Sequence, residues 1–80
     1  MIVIEAIAER IKNLMAEKNL SQYAICKKAT VDKSTVYNIL NGRQKVISFN
    51  ILLLLCEGLG ITIQEFLNDP LFDKSNLEID

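Results

Sequence analysis

The sequence contains no histidine and no tryptophan, a single proline, three glycines and two cysteines. The missing histidine removes the commonest metal ligand and the side chain best suited to proton transfer near neutral pH. No Cys-x-x-Cys pair is present either, so neither a metal site nor a cofactor is expected. The chain also lacks a nucleophile–base pair, a glycine-rich phosphate loop and a spaced cluster of acids, so no catalytic residue is assigned and an enzyme is not expected. Long apolar runs are missing too. Ile51 to Cys56 is far short of the roughly 20 residues a membrane helix needs. Glu5, Glu9 and Arg10 interrupt the apolar N-terminus before a signal-peptide core could form. The expectation is a cytoplasmic protein that does not engage a membrane. Cys26 and Cys56 read as buried thiols acting as small hydrophobes; one disulfide is allowed by count, but no secretory context supports it.

What is present is a chain of 80 residues, half of them hydrophobic. That describes one folded domain with a single continuous core rather than a disordered segment. The net charge of −1 conceals an asymmetry. Residues 1–45 carry eight Lys/Arg against four Asp/Glu, and residues 46–80 carry one Lys against six acids. Between 18 and 45, Lys18, Lys27, Lys28, Lys33, Arg43 and Lys45 face only Asp32. A basic patch on an otherwise acidic molecule is an electrostatic footprint for a polyanion.

Periodicity gives five helices and no strand. Ile4, Ile7, Ile11 and Leu14 form one apolar stripe, which predicts a helix over Val3–Lys18 ended by Asn19 in the left-handed conformation. Ser21 caps a short second helix, Gln22–Lys28, with Ile25, Cys26 and Ala29 inward. After a tight break at Thr30-Val31, Asp32 caps a third, Lys33–Leu40, with Val36 and Ile39 inward. Asn41-Gly42 ends it. Ser48 caps a fourth helix, Phe49–Leu59, apolar on nearly every side, and Gly60 stops it. Thr62 caps a fifth, Ile63–Asn68, which Pro70 terminates. The domain is expected to occupy residues 1–68, and 69–80 to form a short acidic tail that frays from Asp73 onward.

A short helix, a tight turn and a second short helix make a helix-turn-helix. The blocks Ile7–Gln22, Val31–Arg43 and Ser48–Leu67 carry a family resemblance, above all LSQ at 20–22, STVYNILNG at 34–42 and LGITIQEFL at 59–67. The chain resembles the phage-repressor (Cro/XRE) type of helix-turn-helix regulators, over about sixty residues. The resemblance implies an all-α, compact five-helix lambda-repressor-like domain that binds a double-stranded DNA operator and regulates transcription as a repressor.

With Val36 and Ile39 inward, Lys33, Ser34, Tyr37, Asn38 and Asn41 must face outward. Such a helix fits the major groove with its first residues nearest the base edges. Lys33 can donate to guanine O6/N7 and Asn38 can bond adenine bidentately. The resemblance assigns base reading to Lys33, Ser34 and Asn38, while Tyr37 can stack on a sugar or touch a thymine methyl. It also implies a phosphate contact at Gln22, where helix N-terminal amides already favour an anion, and more around Asn41 and Arg43. Gln44 and Lys45 extend that clamp. Asp32 reads as a cap, or as an acceptor from a cytosine amine.

Three departures from the family pattern stand out. Thr30 replaces the usual turn Gly, Ile47 replaces a common Pro, and Met15 with Leu40 replaces an Arg–Glu pair between the first and third helices. Apolar residues can substitute for a partly buried ion pair without loss.

In the fourth helix, Phe49, Leu52, Leu55, Cys56 and Leu59 suffice for a buried face. Ile51, Leu54 and Gly58 would then form an outer stripe, extended by Ile2 or Val3, that meets a second copy in a two-fold homodimer. The alternative is that the tail, through Leu71, Phe72 or Leu77, covers the stripe. Two functional readings stay open: a sequence-specific DNA-binding regulator, with or without a regulatory protein partner, and an interaction module of the same fold, such as an antitoxin or anti-repressor, that does not read DNA.

Overall fold

The computed structural model describes residues 1–78, folded as α1 (Val3–Lys18), α2 (Gln22–Ala29), α3 (Lys33–Leu40), α4 (Phe49–Leu59) and α5 (Ile63–Leu67). Single 3-10 turns follow at Pro70–Phe72 and Lys74–Asn76. Each α-helix begins where a local hydrogen bond can satisfy its orphan amides. Ser21, Ser48 and Thr62 hydroxyls accept from the N–H groups of Ala24, Ile51 and Glu65, each at 3.1 Å. Glu5 Oε1 accepts from the Ile2 N–H at 2.9 Å and closes the start of α1. Asn19 ends α1 with φ 53°, and the next amide, Leu20 N–H, returns to Met15 O at 2.9 Å. The exception is α3. Asp32 stands at its cap position, but its carboxylate makes no capping hydrogen bond. Only the Asp32 carbonyl takes part, accepting from Val36 N–H at 3.2 Å.

One core joins all five helices. Ile7, Ile11, Ile25, Val36, Ile39, Leu55, Leu59 and Phe66 are all within a few per cent of full burial. Leu40 is buried in this cluster, and Met15, half-buried, packs against it. Cys26 and Cys56 are free and buried, and burial pushes the Cys56 thiol above the ordinary value. The main packing is α4 against α2. It closes at Gly58, where an added Cβ would lie 2.8 Å from Ala29 Cβ and 2.9 Å from Ile25 O. A side chain there would hold the two helices apart.

This contact corrects the expected orientation of α4. Gly58 is buried under α2, not on an outer stripe, and Ile51 and Leu54 are half-buried against the core. Phe49, expected inside, is 62% exposed. At 3.6 residues per turn, the buried arc runs through Leu52, Leu55, Cys56, Gly58 and Leu59, a few tens of degrees from the arc that periodicity suggested. Phe49, at one edge of that arc, comes out, and Gly58, at the other, goes in. The exposed face is Phe49, Asn50, Leu53 and Glu57.

From Asp73 to Glu78 the tail differs from the expected fraying, while Phe72 before it packs on the core. Phe72 packs its ring 5.7 Å from that of Phe66, and the first 3-10 turn lies against α1. Glu78 N–H donates to Met1 O at 2.9 Å, while the Met1 ammonium meets Glu78 Oε1 at 3.2 Å. These contacts run to α1, α5 and the first two residues, so Phe72 covers Phe66 instead of the Ile51 and Leu54 positions. Ile79 and Asp80, the end of the expected fraying segment, lie outside the described residues.

Arg10 ties this side together. Its Nε donates to Phe66 O and its Nη2 to Glu65 O, both at 2.9 Å, and its Nη1 pairs with Asp69 Oδ2 at 3.2 Å. A helix as short as α5 exposes its last carbonyls to whatever can donate to them. A guanidinium, with donors in a fixed fork, fills that need from α1.

Candidate nucleic-acid interface

Helices α2 and α3 meet through the turn Thr30–Asp32. Thr30 holds φ 54° and ψ 38°, the left-handed conformation in which a β-branched side chain is strained. Its hydroxyl donates to Ala29 O at 2.6 Å. The turn therefore keeps the geometry that Gly would adopt freely, at a cost. It leaves Val31 buried and sets the first turn of α3 beside the first turn of α2.

On the resulting face Lys33, Ser34 and Tyr37 are exposed and Asn38 half-buried. Gln22 stands at the N-terminus of α2, also half-buried. The structure brings Gln22, Lys33, Ser34 and Tyr37 around one shallow cleft, together with Tyr23 and Cys26. The Lys33 ammonium lies 5.6 Å from the centre of the Tyr23 ring, and the Arg43 guanidinium 5.6 Å from that of Tyr37. Both are cation–π contacts that hold a flexible cation in a defined place.

The candidate phosphate residues are more varied. Arg43 and Lys45 are exposed. Asn41 Nδ2 donates to Tyr37 O at 2.8 Å, closing the end of α3, and Gln44 Nε2 donates to Val46 O at 3.1 Å, bracing the loop. Each amide then has one N–H left for an outside acceptor. Gly42, with φ 71°, turns the chain so that Arg43 N–H returns to Asn38 O at 2.9 Å. Arg43 is thereby set at the C-terminal end of the α3 face.

Tyr23 is absent from the residues expected at this surface. Its signal was available: position 23 lies off the Ile25–Cys26–Ala29 stripe, so a large aromatic there must face water. Nothing local marks Arg10 as a clamp on a helix 55 residues away.

The Cro/C1-type helix-turn-helix DNA-binding domain matches residues 10–70. The chain belongs to this family. It is a DNA-binding protein of the transcription-regulator class, and the matched segment contains the whole α2–α3 unit. No curated protein matched by sequence. Among solved structures, prophage Lp1 protein 11 is similar at 25% identity over 92% of this chain and 99% of that one, with a TM-score of 0.79. The restriction-modification controller protein C.AhdI from Aeromonas hydrophila is 27% identical over 79% of this chain and 94% of that one, TM-score 0.69. The controller protein C.Esp1396I, at 19% identity over 84% and 86% of the two chains and a TM-score of 0.77, shares the fold. Among the described residues of this Cro/C1-type domain, no helix is long and apolar enough to cross a membrane.

Proposed function

We propose that this Cro/C1-type domain is a sequence-specific repressor of transcription that binds its operator as a homodimer, with α3 in the major groove. The observation that carries the reading is the face of α3. Lys33, Ser34, Tyr37 and Asn38 stand on one side of a helix whose other side is locked into the core, beside an α2 N-terminus that carries Gln22. Lys33 and Asn38 match the donor and acceptor patterns of guanine and adenine, and Ser34 suits either. Gln22 at the start of α2, and Asn41, Arg43, Gln44 and Lys45 just beyond the end of α3, are the candidates for phosphate contacts. Similarity to the restriction-modification controller protein C.AhdI supports a regulatory role.

The dimer rests on α4. Phe49 at 62% and Leu53 at 38% exposure are one helical turn apart, and a groove lined by Leu53, Leu54, Ile61 and Ile63 adjoins them. Leu54 remains part of this surface. Ile51, half-buried against the core, and Gly58, covered by α2, drop out. A two-fold axis here puts two α3 helices about 34 Å apart, one turn of duplex, on a near-palindromic site.

Selection of bound duplexes from a random pool tests the reading directly. It should return a near-palindrome, with binding that weakens steeply as salt rises. Lys33→Ala or Asn38→Ala should cost about 1–3 kcal/mol on that site and little on random DNA. Equal losses on both DNAs would refute base reading. Sedimentation equilibrium should give a dimer for the wild type and a monomer for Leu53→Lys; a wild-type monomer with and without operator would refute the dimer.

A further inference from the structure

The cleft between α2 and α3 is mostly apolar, although it lies in the middle of a surface otherwise made of donors and cations. Its sides carry the rings of Tyr23 and Tyr37, which are 61% and 40% exposed, and Cys26, almost wholly buried, also lines it. Gln22, Lys33 and Ser34 complete its lining. An apolar recess in such a place does not suit a phosphate, a sugar hydroxyl or a polar base edge. It is also a poor seat for an apolar segment of protein, because Lys33 and Arg43 beside the two rings complement a polyanion. One apolar group projects into the major groove of duplex DNA: the C5-methyl of a pyrimidine.

We infer that this cleft receives a pyrimidine C5-methyl group, with Tyr23 on α2 and Tyr37 on α3 as its two walls, next to the base pair that Lys33 reads. The inference rests on the reading of α3 as the recognition helix and extends it to a residue of α2. Each cation–π contact has a second use here. Lys33 over Tyr23 and Arg43 over Tyr37 place a charge beside each wall of the cleft, and so on each side of the methyl once DNA is bound.

The test uses the selected operator, with each thymine replaced in turn by uracil, an exchange that removes only the methyl group. Binding is followed by fluorescence anisotropy at fixed salt. In the wild type, uracil at one position per half-site should weaken binding about fourfold, the equivalent of burying one methyl group. At that position a 5-methylcytosine–guanine pair should bind more tightly than cytosine–guanine by a similar factor. Tyr23→Ser, at an exposed site, should keep the thermal unfolding of the wild type and lose the thymine–uracil difference, whereas Tyr23→Phe should retain it. If every uracil operator binds like its parent, the methyl site is wrong while recognition by α3 stands. A uracil penalty that persists unchanged in Tyr23→Ser, or no gain from 5-methylcytosine over cytosine, overturns it as well. If no operator can be selected at all, both readings fall.

Discussion

Helix α3 buries Val36, Ile39 and Leu40 and leaves Lys33, Ser34 and Tyr37 in water; α4 buries Leu52, Leu55, Cys56, Gly58 and Leu59 and still exposes Phe49 and Leu53. The two helices answer different demands. The first needs a thin anchor and a free polar face, so its stability is borrowed from the core beneath it. The second supplies that core and has apolar surface left over. Charge follows the same division. The cations Lys27, Lys28, Lys33, Arg43 and Lys45 gather around α2–α3, and Glu57, Glu65, Asp69, Asp73 and Glu78 lie from α4 onward. A net charge near zero therefore describes neither half, and a binding surface for a polyanion can exist on a slightly acidic protein.

This division can be tested by perturbing each side, and the largest effect is expected where α3 enters the core. Leu40→Glu should cost about 4 kcal/mol, from lost packing together with a carboxylate left in an apolar site. Adding Met15→Arg should recover part of that loss in urea unfolding, since the family-like pair would be restored; a strictly additive double variant would refute coupling of the two positions. Next comes the α2–α4 contact. Gly58→Ala should destabilise by about 2 kcal/mol despite the better helix propensity of Ala, because both atoms it meets, Ala29 Cβ and Ile25 O, are on or next to the backbone. A more stable variant would mean that the helices separate without cost.

Arg10→Ala should cost a similar or slightly smaller amount, about 2 kcal/mol, by removing the side-chain donors to Phe66 O and Glu65 O and the cation paired with Asp69. It should leave DNA affinity nearly unchanged once the protein is folded, although it removes a cation. A large affinity loss instead would place Arg10 on the DNA side of the division. The smallest effect, of opposite sign, belongs to the turn. Thr30→Gly should stabilise by about 1 kcal/mol by relieving a strained left-handed residue. Thermal unfolding measures it, and a loss of stability would show that the Thr30 hydroxyl bond to Ala29 outweighs the strain.

The helix ends were legible in the sequence almost residue by residue. Ser21, Ser48, Thr62, Asn19 and Gly42 act within a turn of their own position, so the chain needs no distant partner to use them. The outward face of α3 was legible for the same reason, since two inward residues on so short a helix leave little freedom for the rest. Asp32 shows where even local reasoning fails. Its residue type and position suit a cap, but the side chain does not make the bond.

What the amino-acid sequence determined by itself was the number, order and limits of the helices, the polar face of α3 and the basic patch around it. All of these follow from hydrogen bonds and periodicities that extend over a few residues. Only the tertiary structure decided which arc of α4 is buried, that Arg10 closes α5, that the chain from 69 to 78 packs against α1 and the N-terminus, and that Tyr23 and Tyr37 share a cleft. Helix α4 is apolar around most of its circumference, so its own pattern allows several rotations. The rotation adopted is the one that puts the residue without a side chain, Gly58, where α2 approaches most closely.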